Sequence, residues 1–231
     1  MLDEKFWEKY MKVYDCLNLL IPYQQLLKDV CDLLDIKRGE TILEAGCGTG
    51  NLALKIKEKG AIVIGLENCK EALEVCRKKD HTLNLVLADL TEKLPFPDNY
   101  FDKIACNNAL YAIPENRQLA VLKEFYRILK PGGKVVIGNP IKGWNAFQIY
   151  IKGIKKHFKK EGVRKTLLKA IKMIRPTIKM LYYNHLIKNE KQYHFFEFNE
   201  QRELLRSVGF SNLTDTISVY EGQSILNSGY K

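Results

Sequence analysis

The chain lacks several patterns that indicate membrane-spanning, secreted or metal-binding proteins. No apolar run approaches the ~20 residues of a membrane-spanning helix, and the first residues lack the basic and then apolar plan of a signal peptide. The six cysteines form no C-x-x-C pair, and neither they nor the four histidines have metal-ligand spacing. We therefore expect a cytoplasmic protein with reduced cysteines and no bound metal.

Acidic residues are scarce in one segment, residues 141–192. It holds 14 lysines and arginines but only 2 acids and carries a charge of +12, whereas the whole chain of 231 residues carries +10. The composition is 46% hydrophobic, which is enough for one large core. We therefore predict a single domain over residues 1–231 in which the basic character is local.

The most informative stretch is T-I-L-E-A-G-C-G-T-G-N at residues 41–51. A short β-branched and apolar run, typical of a buried strand, leads directly into three glycines. Glycines let the backbone turn tightly and approach a ligand closely. The residues after the loop open a helix, whose first amide groups favour a negatively charged ligand group. The pattern predicts a cofactor-binding loop.

A loop of this kind suits either NAD or a cofactor with a cationic amino-acid group. Residues 48–53 fit the dinucleotide pattern G-x-G-x-x-[GA], so NAD is one candidate. Glu44, directly before the loop, would repel a pyrophosphate but could accept hydrogen bonds from a cationic amino-acid group. Glu67, at the end of the next predicted strand, could accept ribose hydroxyl protons from either cofactor.

Residues 44–50, E-A-G-C-G-T-G, resemble motif I, [DE]-x-G-x-G-x-G, of the class I S-adenosylmethionine (SAM)-dependent methyltransferases. Four further blocks continue this resemblance in order over about residues 41–139. The resemblance implies a SAM-binding methyltransferase. The four blocks are Glu67, Ala88-Asp89, L-P-F-P-D-N-Y-F-D at residues 94–102 and L-K-P-G-G-K at residues 129–134.

The resemblance also implies which residues contact SAM. Asp89 would take the adenine amino group, the backbone of Leu90 would read the ring edge, and Asn107 would contribute to the methionine end. Residues 14–18 resemble the Y-D-x-x-N entry helix of the ubiquinone and menaquinone biosynthesis C-methyltransferases, so Tyr14 is a candidate cofactor contact or a core-packing residue. The implied cofactor-binding residues are Tyr14, Glu44, Ala45, Gly46, Gly48, Gly50, Glu67, Asn68, Asp89, Leu90 and Asn107.

Strands alternating with helices predict an α/β fold with a parallel, doubly wound sheet whose fifth strand is residues 134–138. Two closing β-rich runs, residues 212–220 and 223–230, predict an antiparallel hairpin. The resemblance implies the seven-stranded, Rossmann-like methyltransferase sheet. The terminal hairpin favours SAM over NAD. The predicted parts are N-terminal helices covering the cofactor (1–38), the SAM-binding core (39–140), a basic helical cap after strand 5 (141–192), and a last helix with the hairpin (193–231).

Apolar residues recur every three or four positions in the cap, with lysines and arginines between them. Three interpretations are open: a lid whose apolar stripes pack on the core, a helical surface for an anionic membrane, and a phosphate-binding surface. Nucleic acid is disfavoured because no recognised RNA-binding motif accompanies the lysines. The two predicted stripes are Trp144, Phe147, Ile151, Ile154 and Phe158, followed by Val163, Leu167, Ile171 and Ile174.

The predicted function is methyl transfer from SAM to a small amphiphilic, lipid-like or quinone-like acceptor under the cap. Alternatives are an RNA methyltransferase, a soluble small-molecule O- or N-methyltransferase, and a non-catalytic SAM-fold protein. Alignment can supply most of the catalysis, and Tyr111 and His185 are candidates for orienting the acceptor or acting as base. The S-x-x-x-H-x-x-W continuation of the quinone-pathway enzymes is absent, so their substrate is not implied. Oligomeric state is not predicted.

Overall fold

The computed structural model, which describes residues 2–231, contains a seven-stranded sheet. Its strands are β1 (Thr41–Ala45), β2 (Ile62–Glu67), β3 (Asn84–Leu87), β4 (Phe101–Asn107), β5 (Leu129–Pro140), β6 (Ile217–Val219) and β7 (Ser224–Tyr230). They lie in the order β3-β2-β1-β4-β5-β7-β6. Pairs among β1 to β5 are parallel, whereas β7 is antiparallel to β5 and β6. The predicted mostly parallel sheet with an antiparallel end is confirmed.

Helices cover both sides of the sheet, and seven of them are α-helices within residues 2–231. The Asp3 side chain caps the first helix by accepting a hydrogen bond from the backbone N–H of Phe6 at 2.8 Å. Pro22 lies in the first turn of the second helix, where proline removes no helical hydrogen bond. The helices are α1 (Glu4–Tyr14), α2 (Ile21–Leu34), α3 (Asn51–Glu58), α4 (Lys70–Lys79), α5 (Glu115–Ile128), α6 (Ala146–Lys188) and α7 (Glu200–Val208).

The position of the site follows from the strand order. From β1 the chain builds outward through β2 and β3 on one side, and then through β4 and β5 on the other. Loops at the carboxyl ends of β1 and β4 therefore diverge and leave a crevice, which is where open α/β sheets bind ligands. Large apolar side chains anchor these two strands, and Leu43, Phe101 and Ile104 are completely buried.

Two strands differ in length from the sequence prediction. The prediction for β5 was residues 134–138, but pairing already begins at Leu129 opposite Phe101 and resumes at Lys134 after an irregularity. The prediction for β6 was residues 212–220, but the strand is only Ile217–Val219. Asn212 has φ 48°, a left-handed conformation that a regular strand does not contain.

The helix after β5 is not continuous. Gly162 has φ 78° and ψ 172°, so α6 consists of two helical halves joined at this glycine. The halves lie side by side, since Tyr150 contacts Thr177 and Glu161 forms a 2.7 Å ion pair with Lys169. We call residues 146–188 the α6 hairpin. Across the described chain, no helix combines the length and the apolar character that a membrane span requires.

The apolar stripes of the cap do not pack on the core, so that part of the lid interpretation is wrong. Apart from Trp144, the predicted stripe residues are between 36% and 69% exposed. Periodicity shows that apolar residues share a side of a helix, but it does not show which side packs. The buried side of the hairpin carries other residues: Ile149, Tyr150, Gly153, His157, Thr166, Met173, Met180 and Ile187.

Candidate active site

A deep pocket lies at the carboxyl edge of the sheet, between the loops after β1, β2 and β4, with α1 and the α6 hairpin over it. Nine of the eleven residues predicted to bind SAM line this pocket, and so does Tyr111. Three predicted site residues do not line it: Ala45, Gly50 and His185. The structure therefore brings most of the predicted site residues together from five separate parts of the chain.

The glycine loop needs its glycines for different reasons. A Cβ on Gly46 would lie 2.4 Å from the Cβ of Ala109, and one on Gly50 would lie 2.3 Å from the Sγ of Cys76. Both glycines also have left-handed φ angles, 75° and 78° respectively. Gly50 thus packs against α4 instead of lining the pocket. Around Gly48 the space is more open, with Met11 of α1 as the nearest neighbour at 3.7 Å.

Glu67 fixes the shape of the loop that it faces. Its carboxylate accepts hydrogen bonds from the backbone N–H groups of Gly48 at 3.0 Å, Asn68 at 2.9 Å and Cys69 at 3.0 Å. Burial raises the pKa of Glu67, and these three donors oppose that rise. A carboxylate has about four lone-pair sites, so one remains for a ligand hydroxyl. The sequence predicted the ligand contact and missed the structural role.

Glu44 is a buried carboxylate with an oxygen that has no partner. Its side chain is 4% exposed, and Oε2 makes no hydrogen bond with any described residue. Burial raises the pKa of Glu44 well above its ordinary value. Leaving such an atom unsatisfied costs about 1–3 kcal/mol or more. A cationic donor in the pocket would satisfy it.

Two asparagine oxygens complete an acceptor cluster with Glu44. The Oδ1 atoms of Asn107 and Asn108 are buried and have no hydrogen-bond partner among residues 2–231, and both residues line the same pocket. An ammonium group has three N–H donors, so this set fits the amino-acid end of SAM and disfavours a pyrophosphate. Asn108 was missed at the sequence level, although its φ of 56° is a conformation that asparagine tolerates better than most residues.

Residues of the Y-D-x-x-N stretch tie the entry turn to the glycine loop. Asp15 Oδ1 accepts hydrogen bonds from Thr49 at 2.7 Å, Asn51 at 3.1 Å and Lys79 at 2.7 Å. Asn18 donates a further bond to Asn51 Oδ1 at 2.8 Å. The sequence assigned a site role only to Tyr14 in this stretch. The contacts with Asp15 and Asn18 explain how the N-terminal segment holds its place over the pocket.

Tyr14 both packs and lines the pocket. Its ring centroid lies 5.5 Å from that of Tyr10 and 6.0 Å from that of Tyr23, and burial raises the pKa of Tyr14. The two sequence-based alternatives, core packing and cofactor contact, are thus compatible in this geometry.

Tyr111 is positioned from three directions. Its ring stacks on Phe195 with centroids 5.3 Å apart, its backbone N–H donates to Asn139 at 3.1 Å, and its carbonyl accepts from the backbone of His194 at 2.9 Å. Burial raises the pKa of Tyr111, so the phenol keeps its proton at neutral pH. It can donate a hydrogen bond but is a poor base.

The structure does not bring His185 to the pocket. Its side chain is exposed, and its Nε2 lies 3.1 Å from Nδ2 of Asn189 on the outside of the hairpin. The preceding residue, Asn184, lines the pocket instead. A helix turns about 100° per residue, so this neighbour faces inward while His185 faces out. His185 therefore has no position from which to act on an acceptor.

Beyond the glycine loop the pocket wall is largely aromatic. None of the lining residues in the described chain is a histidine, lysine or arginine. The indole N–H of Trp144 and the hydroxyl of Tyr150 are buried there, and neither forms a hydrogen bond of good geometry with a described residue. Such a wall suits a flat apolar group that carries oxygen acceptors. The aromatic lining residues are Trp7, Tyr10, Tyr14, Tyr23, Tyr111, Trp144, Tyr150, Tyr193 and Tyr220.

One group of side chains away from the pocket has the composition of a metal site: Glu115, His194 and Glu200. Glu200 contacts Nε2 of His194 at 2.5 Å, and Glu115 approaches Nδ1 at 3.4 Å. The two carboxylates approach opposite nitrogens of the ring, and one ligand atom of each residue lies within 4.8 Å of the others. These contacts link α5 to α7 through His194.

Comparison with known protein sequences identifies related methyltransferases. A family model described as a methyltransferase domain matches residues 43–137. A demethylmenaquinone methyltransferase of Listeria welshimeri is 32% identical over 166 residues, which cover 64% of this chain and 69% of that protein. Another, from Oceanobacillus iheyensis, is 33% identical over 140 residues, covering 56% of this chain and 58% of that protein. The chain thus spans less than two thirds of the length of the Oceanobacillus relative.

Two solved structures share the fold over almost the full chain. A chain of the complex between the Haloferax volcanii Trm112 methyltransferase activator and a putative methyltransferase gives a TM-score of 0.68 at 17% identity, covering 100% of this chain and 99% of that one. A putative SAM-dependent methyltransferase from Methanococcus maripaludis gives 0.63 at 21% identity, covering 100% and 97%. At these identities the likeness shows the fold alone.

Proposed function

We propose that this chain, which belongs to the class I SAM-dependent methyltransferases, transfers the methyl group of SAM to a small amphiphilic acceptor with a quinone-like ring. Family and fold imply SAM as the cofactor. The observation that carries the proposal is one pocket that contains both aromatic side chains and buried acceptor atoms with no partner among the described residues.

Different residues of the chain would bind different parts of SAM. Glu44, Asn107 and Asn108 would accept hydrogen bonds from its ammonium group, because their oxygens are buried and otherwise unpartnered. Glu67 would hold the ribose, and the Asp89–Leu90 corner of the pocket would hold the adenine. When bound, SAM supplies an electrophilic methyl group on a sulfonium. The chain binds, orients and shields the reactants from water.

The acceptor must bring its own reactive electron pair. The described pocket lining contains no histidine or lysine, and Tyr111 keeps its proton because burial raises its pKa. A general base is needed only when the acceptor must first lose a proton. A reduced quinone ring need not lose a proton first, since its oxygens donate electrons to a ring carbon. That carbon would bond to the methyl group as the methyl–sulfur bond breaks, the cofactor would leave as a neutral thioether, and the ring hydrogen would then leave as a proton to water. Tyr111, Trp144 and Tyr150 would orient such a ring by hydrogen bonds to its oxygens.

Two further observations bear on the acceptor class. The Listeria and Oceanobacillus relatives are named for methyl transfer to demethylmenaquinone, which supports a quinone-like ring. A quinone with an apolar tail resides in the lipid bilayer, so we also propose that the protein acts as a peripheral protein on the cytoplasmic face of a membrane. The basic hairpin supports RNA as a second candidate acceptor, because phosphate binding needs the same lysines.

The test is transfer of a labelled methyl group from SAM to a water-soluble demethylated naphthoquinol, a catechol and RNA, preceded by calorimetric titration of SAM and NADH. We expect SAM binding without NADH binding, and label in the naphthoquinol. Label only in RNA would replace the proposal by the second candidate. Comparable label in the catechol would indicate a broad soluble small-molecule methyltransferase, and label in none of them would refute the proposed acceptor class.

A further inference from the structure

The outward side of the α6 hairpin concentrates exposed apolar side chains. Of the 18 large apolar residues that are exposed in the described part of the chain, 11 lie on this one element. Large exposed apolar patches on a folded protein mark interaction sites. The 11 residues are Phe147, Ile151, Ile154, Phe158, Val163, Leu167, Leu168, Ile171, Ile174, Ile178 and Tyr182.

Each half of the hairpin has three distinct sides. In the first half, exposed apolar residues recur at intervals of four, three and four from Phe147 to Phe158, while Ile149, Gly153 and His157 face the core. Exposed lysines, such as Lys155 and Lys159, fill a third side next to the apolar one. The second half repeats this plan with exposed isoleucines and leucines beside exposed lysines and arginines. Helices of this composition lie in the plane of a membrane interface.

We infer that the outward face of the α6 hairpin docks on an anionic lipid surface. Such a surface satisfies both exposed sides at once, because the apolar side chains enter the acyl boundary while the lysines and arginines meet anionic head groups. The one acid of the hairpin, Glu161, does not oppose that contact, because it is already paired with Lys169 at 2.7 Å. Residues 146–188 also hold 12 lysines and arginines.

Other occupants fit this face less well. A second copy of the chain would bring two segments of +12 charge against each other, and like charges repel. RNA would match the lysines but not the intervening side chains, because single-stranded nucleic acid is bound by stacking on aromatic rings and most of the exposed apolar residues here are aliphatic.

Docking would also place the pocket beside the lipid. Ile149, Tyr150 and Met180 of the same hairpin line the pocket wall. An acceptor with an apolar tail could therefore pass from the bilayer along the hairpin while remaining in apolar surroundings. This step rests on the proposed function, whereas the docking surface stands on exposure and charge alone.

The test is flotation of the full chain with vesicles of phosphatidylcholine containing phosphatidylglycerol, and with vesicles of phosphatidylcholine alone. We expect the wild-type protein to float with the anionic vesicles only. The double variant Leu167→Asp/Ile171→Asp should bind them at least about tenfold more weakly, because it places charge in the apolar boundary. Lys155→Glu/Lys159→Glu should weaken binding by a similar factor, because it reverses the attraction to the head groups.

Matched controls outside the hairpin separate docking from general surface effects. Leu87→Asp changes a residue with 57% exposure, close to the 56% of Leu167, and Lys78→Glu/Lys123→Glu makes the same charge change at exposed positions. Both controls should float like the wild type. Calorimetric SAM binding by every variant verifies that it is folded.

Each result has a defined meaning. Wild-type protein that binds SAM but does not float overturns the docking inference and leaves the proposed function standing. Flotation without SAM binding would support docking and overturn the proposed function. Equal flotation of hairpin and control variants, or dimerisation that Leu167→Asp/Ile171→Asp abolishes without flotation, also overturns docking. RNA binding in place of flotation would assign the basic side to nucleic acid.

Discussion

Replacing Glu44 with glutamine should weaken SAM binding. The Oε2 atom of Glu44 is buried and has no partner among the described residues, and Asn107 and Asn108 line the same pocket. A hydrogen bond to a charged partner contributes about 1.5–3 kcal/mol, and about 1.4 kcal/mol is a factor of ten in affinity. Glu44→Gln should therefore weaken SAM binding roughly 10- to 100-fold.

The same substitution should stabilise the protein in the absence of SAM. Burial raises the pKa of Glu44 well above its ordinary value, so the folded state holds this proton more tightly than the unfolded chain does. The resulting stability is fully present below the unfolded pKa and is lost as pH rises through the higher folded pKa. Glutamine has no proton to lose. The variant should have a higher Tm than the wild type at pH 8, and a smaller advantage at pH 5.

Calorimetry measures both effects. Each kcal/mol of stabilisation should raise Tm by about 2–4 °C in a chain of this size, and SAM titration gives the affinity. Glu74→Gln, at an exposed position on α4, is the matched control and should change neither quantity. Unchanged SAM affinity in Glu44→Gln would refute the ammonium contact. A Tm advantage of equal size at pH 5 and pH 8 would refute the role of ionisation.

Three further substitutions test the framework of the site. Gly50→Ala should destabilise the chain by about 1–3 kcal/mol more than Gly39→Ala in urea denaturation. Both glycines have left-handed φ, but only a Cβ at Gly50 would meet Cys76. Equal losses of stability would contradict the packing argument. Asp15→Ala removes the acceptor of three hydrogen bonds, so it should lower the free energy of unfolding by about 1–3 kcal/mol. It should also weaken SAM binding, although Asp15 does not line the pocket. Unchanged SAM affinity would show that the entry turn does not support the pocket. Tyr111→Phe should lower kcat but leave SAM affinity and the pH dependence of kcat unchanged, since burial keeps this phenol protonated. If the variant lost the rise of kcat with pH, Tyr111 would be acting as a base.

Local sequence signals predicted the centre of the fold. The strand, glycine loop and helix around Gly46 are specified by neighbouring residues, because turn glycines and apolar runs act over a few positions. The order of the blocks through Glu67, Asp89 and Gly133 then fixed the sheet type. The structure confirms that sheet, with five parallel strands and an antiparallel end.

Features that depend on distant contacts could not be predicted in this way. The bonds from Asp15 and Asn18 to the glycine loop join residues more than thirty positions apart. The orientation of the hairpin was misjudged for a related reason: both sides of each helix contain residues that could be buried. Met173 and Met180 face the core while Leu167 and Ile171 do not. Which side of the helix is buried depends on the helices that pack against it.

The contact of α1 with the α6 hairpin has a consequence for the rate of the reaction. Met11 lies over the glycine loop, and the Tyr10 hydroxyl donates a hydrogen bond to Asn184 at 3.2 Å. A cofactor bound as proposed would lie beneath α1, so its exchange would require this helix to move. Lid opening of this kind limits turnover in many enzymes. We therefore expect the pace of catalysis to be set by the exchange of cofactor, before and after a faster chemical step.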